Sequence, residues 1–189
     1  MKKNNNFKLA LMAIGIAINV IGPFLAMTFR IPIYLDAIGT NLIAMLFGPV
    51  EGVIVGVVGS LLCGVTFDVS SIWYAPVQIF NGIVIAYLYR AGWITMKKMF
   101  WSMLIAILFI STSSALITVY VYGGITPSAS TYIYLLLKYI GFSSVVAAFI
   151  MQMMTDYVNQ IVSCWISLVV IKRLPKNMRG RFNNIKESN

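Results

Sequence analysis

Histidine does not occur in this chain, and acidic residues are scarce: 5 aspartates and glutamates among 189 residues, against 14 lysines and arginines. Without histidine the chain lacks the commonest metal ligand, the usual general base and the usual middle member of a catalytic triad. Charged residues make up only 10% of the sequence, where a soluble domain carries about a quarter. Its 2 cysteines, Cys63 and Cys164, sit inside apolar runs. They read as small packing residues and not as a disulfide framework. No phosphate loop of the G-x-x-x-x-G-K-[ST] type occurs, and neither does a zinc motif, a nucleophile elbow or a carboxylate pair at hydrolase spacing. A proton-driven carrier would show more buried charge and an internal repeat, and no convincing repeat is present. The expectation is a protein that is not an enzyme, with no cofactor and no metal.

What is present is apolar sequence. The hydrophobic fraction is 60% and the mean hydropathy is +0.88, which places the chain among polytopic membrane proteins. The apolar runs are long and do not alternate, so helices are expected and not a lipid-spanning barrel. The predicted fold class is an all-α polytopic membrane protein, a six-helix transmembrane bundle with both termini cytoplasmic. One transmembrane domain covers 1–175, and a basic cytoplasmic tail covers 176–189. The first span, 9–29, is long for a signal sequence, ends without a small-x-small cleavage site, and is read as uncleaved. Spans 35–48 and 50–65 follow, each of about 15 residues against the ~20 a full crossing needs, so they must be sheltered by neighbours. Spans 72–89 and 100–122 come next. Gly141 breaks the long run 131–171 into a short interfacial helix, 131–140, and a last span, 142–171. On this reading 12 of the 14 basic residues fall on one side and only Arg30 and Lys138 on the other, which sets the orientation. The net charge of +9 is then a topology signal and calls for no nucleic-acid partner.

The stretch 30–64 joins a candidate site to a candidate seam. Gly52, Gly56, Ser60 and Gly64 recur every fourth residue and share one helix face, where close packing in lipid is favoured. Upstream stand Arg30, Pro32, Tyr34 and Asp36. Asp36, near the start of the second span, reads either as a helix cap favoured by the dipole or as a site group. Tyr74, Gln78 and Asn81 form one polar stripe on the fourth span. Gln152, Asp156, Asn159, Gln160 and Ser163 share a face of the last. An ionisable group inside a span is expensive and points to a cavity or an ion path, so Asp156 reads as functional. Asn159, Gln160 and Ser163, deeper towards the cytoplasm, read as structural. The hydroxyls of 111–114 are expected to bond back to their own helix. The substrate-binding candidates are Tyr34, Asp36, Trp73, Tyr74, Gln78, Asn81, Gln152 and Asp156, aromatic walls with a few fixed polar groups. In the first span Ala13 and Ala17 form a small-xxx-small pair, a place for a neighbouring helix to lie close.

The alanine-rich first span (Ala13-Ile-Gly-Ile-Ala17 after Leu9-Ala-Leu-Met), the outer segment Arg30-Ile-Pro-Ile-Tyr-Leu-Asp36, the glycine-rich third span and two inward termini together resemble the substrate-binding S components of energy-coupling factor transporters. The resemblance covers nearly the whole chain. It implies high-affinity binding of a vitamin or related micronutrient in a bacterial plasma membrane, energised by a separate membrane coupling subunit and two ATPases. It also implies that Ala13 and Ala17 contact the coupling subunit, and that outer loops and outer helix ends enclose the substrate. Three carboxylates, Asp36, Asp68 and Asp156, are set against only Arg30 and Lys138, which favours a neutral or cationic heterocycle. Two other classes fit the composition: a stand-alone secondary transporter, and a non-transport sensor or assembly module. The first predicts ion-coupled uptake by this chain alone, and the second predicts no tight small ligand.

Overall fold

The computed structural model describes residues 2–126 and 128–174, with the side chains of 2–4 undescribed. The basic tail expected at 176–189 lies outside the described residues. Among the described residues there are seven helices and no strand: α1 Lys2–Thr28, α2 Ile38–Leu46, α3 Pro49–Thr66, α4 Ser70–Arg90, α5 Met99–Tyr120, α6 Thr131–Tyr139 and α7 Ser144–Arg173. Five of them, α1, α3, α4, α5 and α7, are long and apolar enough to cross a membrane. This is a helical membrane protein with several such helices.

The shortest buried helix explains much of the architecture. α2 has 9 residues, and all from Gly39 to Leu46 are buried. It begins at Ile38 and not at residue 35, because Leu35 holds a left-handed backbone, φ 57°, that a right-handed helix cannot continue. Nine residues rise only about 14 Å, less than half the hydrocarbon thickness of about 30 Å. α2 is therefore sheltered on all sides, by α1, α3, α4 and α7, as its short apolar sequence required.

The small-residue face of α3 is the seam. A methyl group added at Gly52 would stand 2.6 Å from the Ala44 side chain of α2, and one at Gly56 would stand 2.8 Å from Cβ of Gln78 in α4. At Gly64 it would overlap Ile72 of α4. A second close approach joins α1 to α2, where a methyl at Gly39 would run into the carbonyl oxygen of Gly15. Dispersion between such closely set backbones is a main source of helix association in lipid.

The start of α1 and the end of α7 lie at the same end of the bundle. Phe7 and Leu11 pack there with Ile171 and Leu174 around Leu46 and Phe47. Lys8 pairs with Glu51 of α3 at 2.5 Å, and the Arg90 guanidinium lies against Gly48. The connections 29–37 and 67–69 and the described residues 121–126 and 128–130 lie together at the opposite end. Gly141, φ 105°, separates α6 from α7 as expected, and the Ser143 side chain then caps α7 by accepting from the Val146 amide at 3.4 Å.

Candidate functional site

After α1 the chain does not stay at the surface. Segment 29–37 turns back into the bundle as non-helical backbone, with φ 53° at Arg30 and 57° at Leu35. Where irregular backbone enters a bundle, each buried peptide group needs a partner. Here the Leu35 amide donates to Oδ1 of Asn159 at 3.1 Å. The Tyr34 hydroxyl donates to the Asp68 carboxylate and lies 3.1 Å from Oγ of Ser71. Asp68 also accepts from the Ser70 amide at 3.0 Å and from Ser71 Oγ at 3.0 Å, closing the first turn of α4.

Asp36 does not cap α2. The N-cap position belongs to Ala37, which has no side-chain cap. Asp36 instead accepts from Gln78 Nε2 at 2.7 Å and from Asn159 Nδ2 at 3.0 Å. The capping falls to α1. Oδ1 of Asn19 accepts from the amides of Gly39 at 2.7 Å and Thr40 at 3.3 Å, two of the donors a helix start leaves without partners. Nδ2 of Asn19 donates to the Thr40 hydroxyl at 2.7 Å, which donates onward to Gln78 Oε1 at 3.0 Å.

These contacts enclose a cavity with about 110 Å³ open to the centre of a water molecule. Tyr34 and Asp36 of the inserted segment, Tyr74, Gln78 and Asn81 of α4, and Gln152 and Asp156 of α7 all line it, bringing together seven of the eight predicted residues. Trp73 is the exception. It is 55% exposed and does not line the cavity; the turn of the helix that aims Tyr74 inward aims its neighbour out. Tyr74 supplies an aromatic wall, stacked on Tyr122 with centroids 6.1 Å apart and planes 7° from parallel. Its hydroxyl meets Oγ1 of Thr118 at 2.7 Å, which also accepts from Gln152 Nε2 at 2.7 Å. Tyr122, just past the end of α5, has its phenol pushed up by burial, with the Asp68 charge adding to the shift; it stays protonated and donates to the Ser70 carbonyl at 3.5 Å. Thr126, Ser128 and Ser130 of the α5–α6 connection stand at the mouth.

Two further readings of the sequence are corrected here. Ser111 does not bond back to its own helix: it donates to Asp156 Oδ2 at 2.9 Å, and Ser114 lines the cavity. Within 111–114, Thr112 and Ser113 do bond to carbonyls of their own helix, those of Leu108 and Phe109. Asn159 and Gln160 are not set apart from the site, because both line the cavity floor. Gln160 donates to Asn81 Oδ1 at 3.0 Å while accepting from Asn41 at 2.9 Å. Ser163 alone stays behind that layer, buried. The sequence reading passed over Asn19, Ser71 and Thr155 among the lining residues, and took Ser60 for the seam alone. Asn19, the single amide side chain in the apolar run 9–29, was the available signal.

Among the residues lining this cavity are three carboxylates, Asp36, Asp68 and Asp156, and no lysine or arginine. Among the described residues, no three cysteine or acidic side chains stand close enough to hold a metal ion. The arrangement offers hydrogen-bonding edges, three carboxyl groups and one aromatic face, which is equipment for binding. Ala13 and Ala17 are exposed on the outer face of α1, turned away from buried Met12 and Asn19. No family model, curated protein or solved structure matches the chain.

Proposed function

We propose that this chain is the substrate-binding membrane subunit of a micronutrient uptake system, an S component of an energy-coupling factor transporter, and that it crosses the membrane six times with both termini in the cytoplasm. The reading rests chiefly on one observation: a cavity with three carboxyl groups and no basic residue in its lining, which includes residues of the connections at the end of the bundle opposite the start of α1 and the end of α7. The sixth crossing is the second pass, shared between inserted segment 29–37 and α2. The distribution of lysine and arginine supports the orientation. The exposed pair Ala13 and Ala17 suits a coupling helix that must approach closely. Energy would come from separate ATPase subunits, in keeping with a sequence that carries no phosphate-loop motif.

The substrate on this reading is a flat, neutral or cationic nitrogen heterocycle, stacked on Tyr74 and hydrogen-bonded at its edge by Asp36, Asp156 and the amides. Purification followed by mass spectrometry of any co-purified small molecule identifies it, and calorimetry with that molecule tests the site. Asp156→Asn keeps the size and removes the charge, and should weaken binding by about 1.5–3 kcal/mol where a charge-assisted hydrogen bond is lost. Unchanged affinity in both Asp156→Asn and Asp36→Asn would return these carboxylates to structural roles.

A further inference from the structure

A second cavity adjoins the first. It has about 320 Å³ open to the centre of a water molecule and is lined by Arg30, Met27, Tyr34, Thr126, Ser128 and Tyr132 among others. Met27, Tyr34, Thr126 and Ser128 line both spaces, so the second is a vestibule to the first, with Tyr34 at the boundary. Their ionisable side chains are of opposite kind. The inner cavity has three carboxylates and no basic residue, while the vestibule has Arg30 and no acidic residue.

The Arg30 side chain has no hydrogen-bond or ion-pair partner among the described residues. Its backbone is held at φ 53°, a region that a residue with a long side chain seldom adopts. That left-handed residue caps the end of α1: the Arg30 amide donates to the Met27 carbonyl at 3.2 Å and the Ile31 amide to the Ala26 carbonyl at 2.8 Å. The guanidinium is a planar fork that matches a carboxylate or phosphate group with two parallel hydrogen bonds. A simple organic cation entering this protein would meet a like charge first and the carboxylates afterwards. A ligand with a positive or hydrogen-bond-donating ring at one end and an acidic group at the other would meet a complementary charge at both.

We infer that the two cavities form one bipartite site for an amphoteric small molecule: a basic nitrogen heterocycle seated among Asp36, Asp156 and the amides, and a carboxylate or phosphate group held at Arg30. The inference rests on the proposed binding function and narrows its substrate class. It makes Arg30 the residue that orients the ligand, ring inward and acid outward, and that discriminates against analogues lacking the acid.

The test uses the full chain in nanodiscs of phosphatidylcholine, incubated with the small-molecule fraction of yeast extract and washed, with retained compounds identified by mass spectrometry. The expected result is an enriched compound carrying both a basic nitrogen and a carboxylate or phosphate. Its retention should fall at least tenfold in Arg30→Gln and be partly restored in Arg30→Lys. An enriched compound without an acidic group overturns the inference on the wild-type protein alone, whatever the variants do. So does equal retention by Arg30→Gln, including the case in which that variant loses only co-purifying phosphatidylglycerol, which would make Arg30 a lipid-headgroup anchor. In both cases the binding function stands. If the wild type enriches no compound, the binding function falls and this inference with it.

Discussion

Replacing Asn19 with alanine tests whether one side chain of α1 holds the start of α2 in place. Asn19 is 2% exposed and makes three bonds across the α1–α2 boundary: it accepts from the amides of Gly39 and Thr40 and donates to the Thr40 hydroxyl. Alanine leaves two amide donors at the start of α2 with no partner, in a region without bulk water. A buried polar group stripped of its partner costs about 1–3 kcal/mol, and loss of a helix N-cap costs about 0.5–2 kcal/mol. These describe overlapping interactions, so the expected destabilisation is roughly 2–4 kcal/mol. For a chain of this length each kcal/mol moves the unfolding temperature by about 2–4 °C, which gives a fall of roughly 4–16 °C in detergent-solubilised protein followed by circular dichroism. Thr28→Ala is the comparison on the same helix: Thr28 is exposed, and its hydroxyl bonds only to the Phe24 carbonyl one turn back in α1. If the two variants unfold within about a degree of each other, Asn19 does not cap α2 in any way that matters to stability, and the account of the α2 start fails with it.

Other outcomes follow from the same architecture. Cysteines introduced at Ser128 and at Lys97 should label from opposite faces of the membrane, with little background because Cys63 and Cys164 are buried; labelling from one face would refute the six-pass topology. Leucine at both Ala13 and Ala17 should abolish uptake in cells while the purified protein keeps its ligand affinity, since both side chains face away from the cavity; loss of neither would remove the proposed coupling surface. Gly39→Ala places a methyl group against the Gly15 carbonyl, and size-exclusion chromatography should show it to be far more damaging than Thr28→Ala. Phenylalanine at Tyr34 removes the hydroxyl that ties segment 29–37 to Asp68 and Ser71, and should speed proteolysis of that segment in nanodiscs; cleavage at the wild-type rate would mean the tie does not hold it.

The sequence is most legible where the membrane simplifies the physics. Composition and basic-residue placement point to a helical bundle, and the period-four glycines point to the seam on α3, because both follow from what lipid excludes. The stripes on α4 and α7 are legible for a related reason: a polar residue inside a span must face inward, and seven of eight candidates reach one cavity. Trp73 was misplaced although the signal was there: it lies one residue, about 100°, off the stripe of Tyr74, Gln78 and Asn81. Asp36 shows the limit. Its position beside a helix start suggests a cap, but its true partners, Gln78 and Asn159, lie 42 and 123 residues away. Ser111 reads locally as bonded to its own helix, because that is the default in the absence of a facing acceptor. The facing acceptor, Asp156, becomes a neighbour only when α5 packs on α7.

The inserted segment also has a consequence for the order in which the molecule can be made. At nine residues α2 is too short to enter a bilayer on its own hydrophobicity, and 29–37 carries peptide groups that lipid cannot satisfy. The partner of the α2 start, Asn19, has already been synthesised when α2 leaves the ribosome. Another, Asn159, which binds both the Leu35 amide and Asp36, lies 124 residues beyond Leu35. The contacts of α2 and of the segment before it are therefore complete only when the last helix has packed. A chain released before α7 would have a seam but no Gln152, Asp156 or Asn159 to line the cavity.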